Sequence, residues 1–190
     1  MRFFEQLELA RRYHAYRPRV HEQVIQEIAA SRPARSLNAA LDVACGTGHS
    51  TAALTALAAT VYGCDSSWAM LSIAREEISA ARFLCCQAEA LPFPADTFDL
   101  VTVSLAFHWF DQEKVLGEVG RVLAPFGELW VYNLFFPGIL LGGTASSDGI
   151  ATDISGDIRF QRDARAPSAA CWTAERLSSS YSKNGDSTTR

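Results

Sequence analysis

The sequence predicts an α/β protein with a doubly wound, mainly parallel sheet and helices on both faces. Three observations carry that expectation. Apolar segments of strand length alternate with segments whose apolar residues recur at helical spacing. The first strand-like segment runs into a glycine turn, LDVACGTGHS from Leu41 to Ser50, and the next strand-like run, TVYGCD, ends on Asp65. A chain of 190 residues with 48% hydrophobic content buries a sizeable core as one such unit, and two independent domains would be cramped in it.

The elements follow in order. After Pro18, the residues Val20, Val24, Ile25 and Ile28 mark an amphipathic helix over the ligand side of the sheet. The first strand runs from about Leu37 to Val43. Thr47 to Ala59 predicts a helix with Leu54 and Leu57 facing inward, and Thr60 to Cys64 the second strand. Met70, Leu71, Ala74 and Ile78 give the next helix face, with the third strand at Arg82 to Cys86. Phe98 to Ser104 makes the fourth strand. Val115, Leu116, Val119, Val122 and Leu123 form a helix stripe that ends before Pro125-Phe126-Gly127, and Glu128 to Phe135 supplies the fifth strand. This alternation demands parallel pairing with right-handed crossovers, which brings ligands to the carboxyl ends of the strands.

Composition excludes several function classes. The net charge is −4 and no lysine-rich or arginine-rich run is present, so a nucleic-acid partner is not expected and small or neutral substrates are favoured. Five cysteines, at positions 45, 64, 85, 86 and 171, lack the spacing of a zinc site or a secreted disulfide framework. They imply reduced, structural thiols, no metal and an intracellular setting. Glu5 and Glu8 stand where a signal peptide needs an apolar core, so the expected location is cytoplasmic. Leu129 to Ser147 is uncharged, but Asn133, Pro137, Gly138, Gly142 and Gly143 interrupt it. It reads as a buried strand with a loop, and no membrane association is expected.

The glycine turn is suited to a nucleoside. Gly46 and Gly48 lack a Cβ, so the backbone can take positive φ and a ligand can lie against its amides. Asp65 falls near the roughly 20-residue spacing at which a carboxylate at the second strand grips ribose hydroxyls. A nicotinamide fingerprint would continue to a third glycine or alanine, where this chain has Thr51. Asp42, at the end of the first strand, suits a cationic amino acid better than a pyrophosphate.

Taken together, these segments resemble the class I S-adenosylmethionine-dependent methyltransferases. Leu41 to Gly48 resembles their first motif, and Gly63 to Leu71 their second-strand acidic motif with its following helix. Ala88 to Pro94 is similar to the adenine-side loop, and Asp96 to Val101 to the fourth strand. Ala106 to Asp111, with Tyr13 to Pro18, narrows the likeness to the type-11 small-molecule group, over residues 10–140.

The resemblance implies a Rossmann-like fold, S-adenosyl-L-methionine as cofactor and a small-molecule methyl acceptor. It implies cofactor contacts at Asp42, Ala44, Gly46, Gly48, Asp65, Ser66, Met70, Gln87, Ala88 and Ser104. Asp42 would hold the methionine ammonium, the amides of Ala44 to Gly48 would approach methionine and ribose, and Asp65 would accept from the ribose hydroxyls. Met70, with Trp68, would wall the adenine, while Gln87 (often Asp in the family) and Ala88 would meet its edge. His108 would be the general base, with Tyr13, Tyr16 and Arg17 closing from the N-terminal side. Structural alternatives stay open: Asp42 as a strand-end carboxylate bonded locally, Asp65 as a helix cap, and His108 as a ring that shapes the pocket beside Trp109.

Beyond about Thr144 the composition turns to Ser, Thr, Asp, Arg and Gly. The family ordinarily adds a helix and an antiparallel strand pair after the fifth strand, and these residues do not visibly supply them. The expected organisation is therefore a cofactor-binding domain at 1–143, with an N-terminal helical cap at 1–35, and a polar, poorly ordered tail at 144–190 with the C-terminal strands missing, as in a truncated or altered end. Phe126 departs from the family, which usually has glycine there. The expected function is methyl transfer to a small molecule. The alternative is a catalytically inactive cofactor-binding or partner-binding protein.

Overall fold

The computed structural model describes residues 6–30 and 35–133, and the backbone of 158–162 and 172–176. Helices α1 (Leu7–Tyr16) and α2 (His21–Ala30) precede an alternation of β1 (Leu37–Val43), α3 (His49–Leu54), β2 (Ala58–Asp65), α4 (Trp68–Glu77), β3 (Ala81–Cys85), β4 (Phe98–Ser104), α5 (Gln112–Val122) and β5 (Leu123–Tyr132). A 3-10 turn, Phe107–Trp109, follows β4, and two short strands, β6 (Ile158–Arg162) and β7 (Trp172–Arg176), come last.

The sheet order is β3-β2-β1-β4-β5-β6-β7. The first five strands pair in parallel. Because β1 lies between β2 and β4, successive crossovers run outward in opposite directions from it, and a crevice opens at the carboxyl ends of β1 and β4.

Period-two alternation splits the core into two layers. Ala40, Leu100 and Trp130 face a cluster that includes Val24, Ile25 and Ile28 of α2. Their chain neighbours Leu41, Val101 and Val131 face the other layer, with Val115, Val119 and Val122 of α5. Such strands, buried on both faces, read in sequence as continuous apolar runs, and all seven residues of β4 are buried.

Two expectations are corrected. The helix expected from Thr47 to Ala59 spans only His49–Leu54. Beyond it the amides of Thr55, Ala56 and Leu57 bond to the carbonyls three residues back, and Thr55 Oγ1 donates to Ala52 O at 2.6 Å. The last turn tightens and β2 starts at Ala58. The C-terminal strands, expected to be missing, are present: β6 pairs antiparallel with β5, from Glu128↔Gln161 to Val131↔Ile158, and β7 pairs antiparallel with β6. An antiparallel strand added to an exposed edge draws on main-chain hydrogen bonds, so five residues suffice without a long apolar pattern. The rest of the expected tail, and Leu134 and Phe135 of the expected fifth strand, lie outside the described residues.

Phe126 takes a left-handed backbone (φ 63), is 58% exposed, and accepts a bond from Arg35 Nη1 at 3.0 Å. That backbone costs a side-chain-bearing residue about 1–2 kcal/mol, against about 0.5–1 kcal/mol of chain entropy for glycine. Phe126→Gly should therefore stabilise the protein by about 0.5–1 kcal/mol in urea unfolding. A lower midpoint would show that the ring contributes packing.

Candidate functional site

The carboxyl ends of the two central strands turn by the same device. Ala44 after β1 (φ 55) and Leu105 after β4 (φ 58) both hold left-handed conformations that cost non-glycine residues energy. Both line one small cavity, together with Tyr13, Arg17, His21, Gly46 and Ser104 among others. Backbone strain gathered at one crevice is the pattern of a functional site.

The two glycines have separate reasons. Gly46 (φ 55) has open space where a Cβ would be, so its face of the turn is accessible to a ligand. A Cβ on Gly48 (φ 88) would strike Ile78 Cδ1 and lie 3.3 Å from Ala74 Cβ, so that residue answers to packing against α4. The turn is tied to β2 by Cys45 N donating to Cys64 O at 2.9 Å and Gly46 N donating to Asp65 Oδ2 at 2.9 Å.

Asp65 also accepts from Ser67 N at 2.8 Å, which opens α4. Its pKa is raised, chiefly by burial, against the lowering effect of these amide bonds. The expected ribose carboxylate and the expected helix-end acceptor are thus the same group, joining the turn to the next helix.

Asp42 is fully buried and outside the cavity lining. Ser50 Oγ and Thr51 Oγ1 each donate to its Oδ2 at 2.6 Å, and Thr102 Oγ1 donates to Oδ1 at 2.9 Å. Burial lifts its pKa to about 6, against those three hydroxyl bonds. This carboxylate pins the start of α3 and β4 to β1 from behind the turn. Thr51, in the place of a third nicotinamide-type glycine, is one of its donors.

His108 lies outside the lining of the glycine-turn cavity. It is exposed on the 3-10 turn beside Trp109, with ring centroids 4.9 Å apart, and lines neither main cavity. His21, like His49, lines the cavity at the glycine turn. Its Nδ1 lies 3.0 Å from Tyr132 Oη at the end of β5 and 3.2 Å from Ser104 Oγ at the end of β4. Nearby, His49 Nε2 lies 3.1 Å from His14 Nδ1, linking α1 to the first residue of α3. Sequence reasoning missed His21 and His49. The signal for His21 was its place on the apolar stripe of α2, one turn before Val24 and Ile25, which made it a buried imidazole.

The remaining expected contacts scatter. Met70 is buried against Ala10 and Ile73 between α1 and α4, and Trp68 is 61% exposed with Arg75 stacked 4.8 Å from its ring centre. Ser66 and Gln87 are exposed, and Ala88 is buried. Of the expected closing residues, Tyr13 and Arg17 line the small cavity, whereas Tyr16 is 86% exposed. That cavity holds about 40 Å³. Sites for small molecules usually run to roughly 300 Å³ and more. A larger cavity of about 340 Å³ lies between the cap and α3, and His21 and His49 line both.

Comparison with known proteins matches this arrangement. Residues 41–131, from the end of β1 to the end of β5, match a methyltransferase domain family. These residues form a class I S-adenosylmethionine-dependent methyltransferase domain. Among the relatives, the demethylmenaquinone methyltransferase of Thermus thermophilus is 41% identical over 131 residues, covering 57% of this chain and 60% of its own. The crystal structure of the YcgJ protein of Bacillus subtilis is 29% identical with a TM-score of 0.53, covering 61% of this chain and 51% of that one. A methyltransferase structure from Aquifex aeolicus shares the fold at 22% identity and a TM-score of 0.57, covering 68% and 73%. The chain thus spans less than two thirds of the Thermus and Bacillus relatives. The domain's glycine turn, open at Gly46 and backed by Asp65, fits the cofactor of that family.

Proposed function

We propose that this chain is an S-adenosylmethionine-dependent methyltransferase acting on a small-molecule acceptor in the cytoplasm, with neither nucleic acid nor membrane as partner. The observation that carries the proposal is the Gly46–Asp65 junction at the crevice between β1 and β4, where an open glycine face and a carboxylate stand side by side. In this proposal the amides from Ala44 to Gly48 border the methionine and ribose, Asp65 accepts from the ribose hydroxyls, Ser66, Gln87 and Ala88 border the adenine, and Ser104 faces the methyl side. Met70 supports that wall from behind, and Asp42 holds the turn in shape. Methyl transfer needs little besides alignment of an acceptor lone pair with the methyl–sulfur bond, so positioning by these groups supplies most of the rate.

Among the described residues Cys45, Cys64, Cys85 and Cys86 are free thiols, and no helix is long and apolar enough to cross a membrane. Quinone-type acceptors belong to the named Thermus relative and are the first to assay here. Calorimetric titration with S-adenosylmethionine and with NAD tests the proposal: binding of the first alone supports it, and binding of NAD alone removes it. Cofactor binding with no turnover on any acceptor would favour an inactive cofactor-binding protein.

His108→Gln should leave cofactor affinity and turnover within about twofold, the usual range for an exposed substitution. A hundredfold loss of turnover would restore His108 as the base.

A further inference from the structure

His21 has an arrangement that the cofactor-binding role leaves unused. It opens α2, is 5% exposed, and lines both the small cavity at the glycine turn and the larger one under the cap. Both of its hydrogen-bond partners among the described residues, Tyr132 Oη at 3.0 Å and Ser104 Oγ at 3.2 Å, meet the same atom, Nδ1. Nε2 has no partner among the described residues, yet it is not sealed from solvent. A hydroxyl oxygen accepts as readily as its proton donates. Two hydroxyls thus occupy Nδ1, as acceptors of its proton or as donors to its lone pair, and Nε2 is the ring nitrogen left open.

We infer that His21 is the catalytic residue of the methyl-acceptor side, its Nε2 taking the proton of an acceptor that carries a phenol-like or enol-like hydroxyl. The inference rests on the methyltransferase reading above. When bound, S-adenosylmethionine supplies an electrophilic methyl group on a sulfonium. The acceptor's oxygen, or the carbon conjugated to it, donates an electron pair to form the bond to that methyl carbon. The methyl–sulfur bond breaks with its pair retained by sulfur, leaving S-adenosylhomocysteine. The hydroxyl proton goes to His21 Nε2, so the positive charge passes from sulfonium to imidazolium and is then released with the proton to water.

Two features set the acceptor class. Burial, with His49 and Arg17 nearby, holds the His21 pKa down at about 4, so the ring is neutral at pH 7 and a weak base. A weak base serves a hydroxyl that is already acidic better than an aliphatic alcohol or an ammonium. Arg17 lines the small cavity beside His21, and its cation favours an oxygen that gains negative charge as the proton leaves.

The test is nitrogen NMR of the His21 side chain in the full wild-type chain with S-adenosylhomocysteine, with 1-naphthol as the phenol probe and 1-methoxynaphthalene, which lacks the proton, as control. The expected result is a neutral ring at pH 7 protonated on Nδ1, whose Nε2 resonance moves with 1-naphthol and not with the ether. A proton on Nε2, or an Nε2 signal unmoved by saturating 1-naphthol, overturns the inference. In parallel, wild-type protein should release S-adenosylhomocysteine from S-adenosylmethionine in a naphthol-dependent way, and His21→Gln should lose about 100-fold or more of that rate while S-adenosylhomocysteine affinity stays within about threefold. No naphthol-dependent release by the wild type, or an equal rate in the variant, overturns it too. Failure of S-adenosylhomocysteine to bind removes the methyltransferase reading itself, whereas binding with an unmoved Nε2 removes only the role of His21.

Discussion

Asp65→Ala should weaken S-adenosylmethionine binding by about 1.5–3 kcal/mol, which is roughly a 10-fold to 150-fold rise in Kd, because a carboxylate holding hydroxyls is a charge-assisted acceptor. A second effect adds to it. Gly46 N and Ser67 N both donate to this carboxylate, so its removal frees the glycine turn and uncaps the start of α4 at once. Asp65→Asn separates the two contributions: its amide oxygen can keep one backbone donor while the charge is lost, so it should bind more weakly than wild type and more tightly than the alanine variant. Calorimetry on the three proteins is the measurement. Affinity unchanged in the alanine variant would remove Asp65 from the cofactor site and leave it as a capping residue.

The second large effect concerns Asp42 and stability. Its pKa, about 6 in the folded protein against an ordinary 3.8, means that the folded state holds this proton more tightly than the unfolded chain does. The stabilising contribution is therefore complete below about pH 4 and is lost as pH rises through about 6, a total of about 3 kcal/mol at 1.36 kcal/mol per pKa unit. His21 and His49 act in the opposite sense. Their folded pKa values, about 4, lie below the ordinary 6.5, so their contribution is present above about pH 6.5 and is lost as pH falls toward 4. Comparing wild type with Asp42→Asn cancels the histidines. Urea unfolding at pH 4, 5, 6 and 7 should show the asparagine variant gaining on wild type by about 3 kcal/mol across that range. A constant difference would show that the three hydroxyl bonds keep Asp42 ionised throughout.

These two carboxylates also mark how far the sequence could be read. Both sit at strand ends beside the same turn, and both were expected to face the cofactor. The placing of Asp65 is one that local sequence could foretell, since its partners Gly46 and Ser67 belong to the turn and to the next helix start. The placing of Asp42 is not, because one of its donors is Thr102, on a strand brought beside β1 only by the crossover. His21 and His108 show the same contrast. The motif after β4 pointed to His108, while the buried face of α2 carried His21 to hydroxyls 83 and 111 residues away.

By itself, the sequence determined the order of strands and helices, the glycine turn and the carboxylate behind it, because each depends on periodicity or on neighbours a few residues apart. It determined the family for the same reason, since the motifs are short and ordered. Tertiary structure alone decided which carboxylate is sealed in, which histidine meets the ends of β4 and β5, and that β6 and β7 extend the sheet. Each of these is set by a partner distant in the chain. Burial, hydroxyl pairing and edge pairing act between elements that the sheet brings together, and a local pattern of residues holds no record of them.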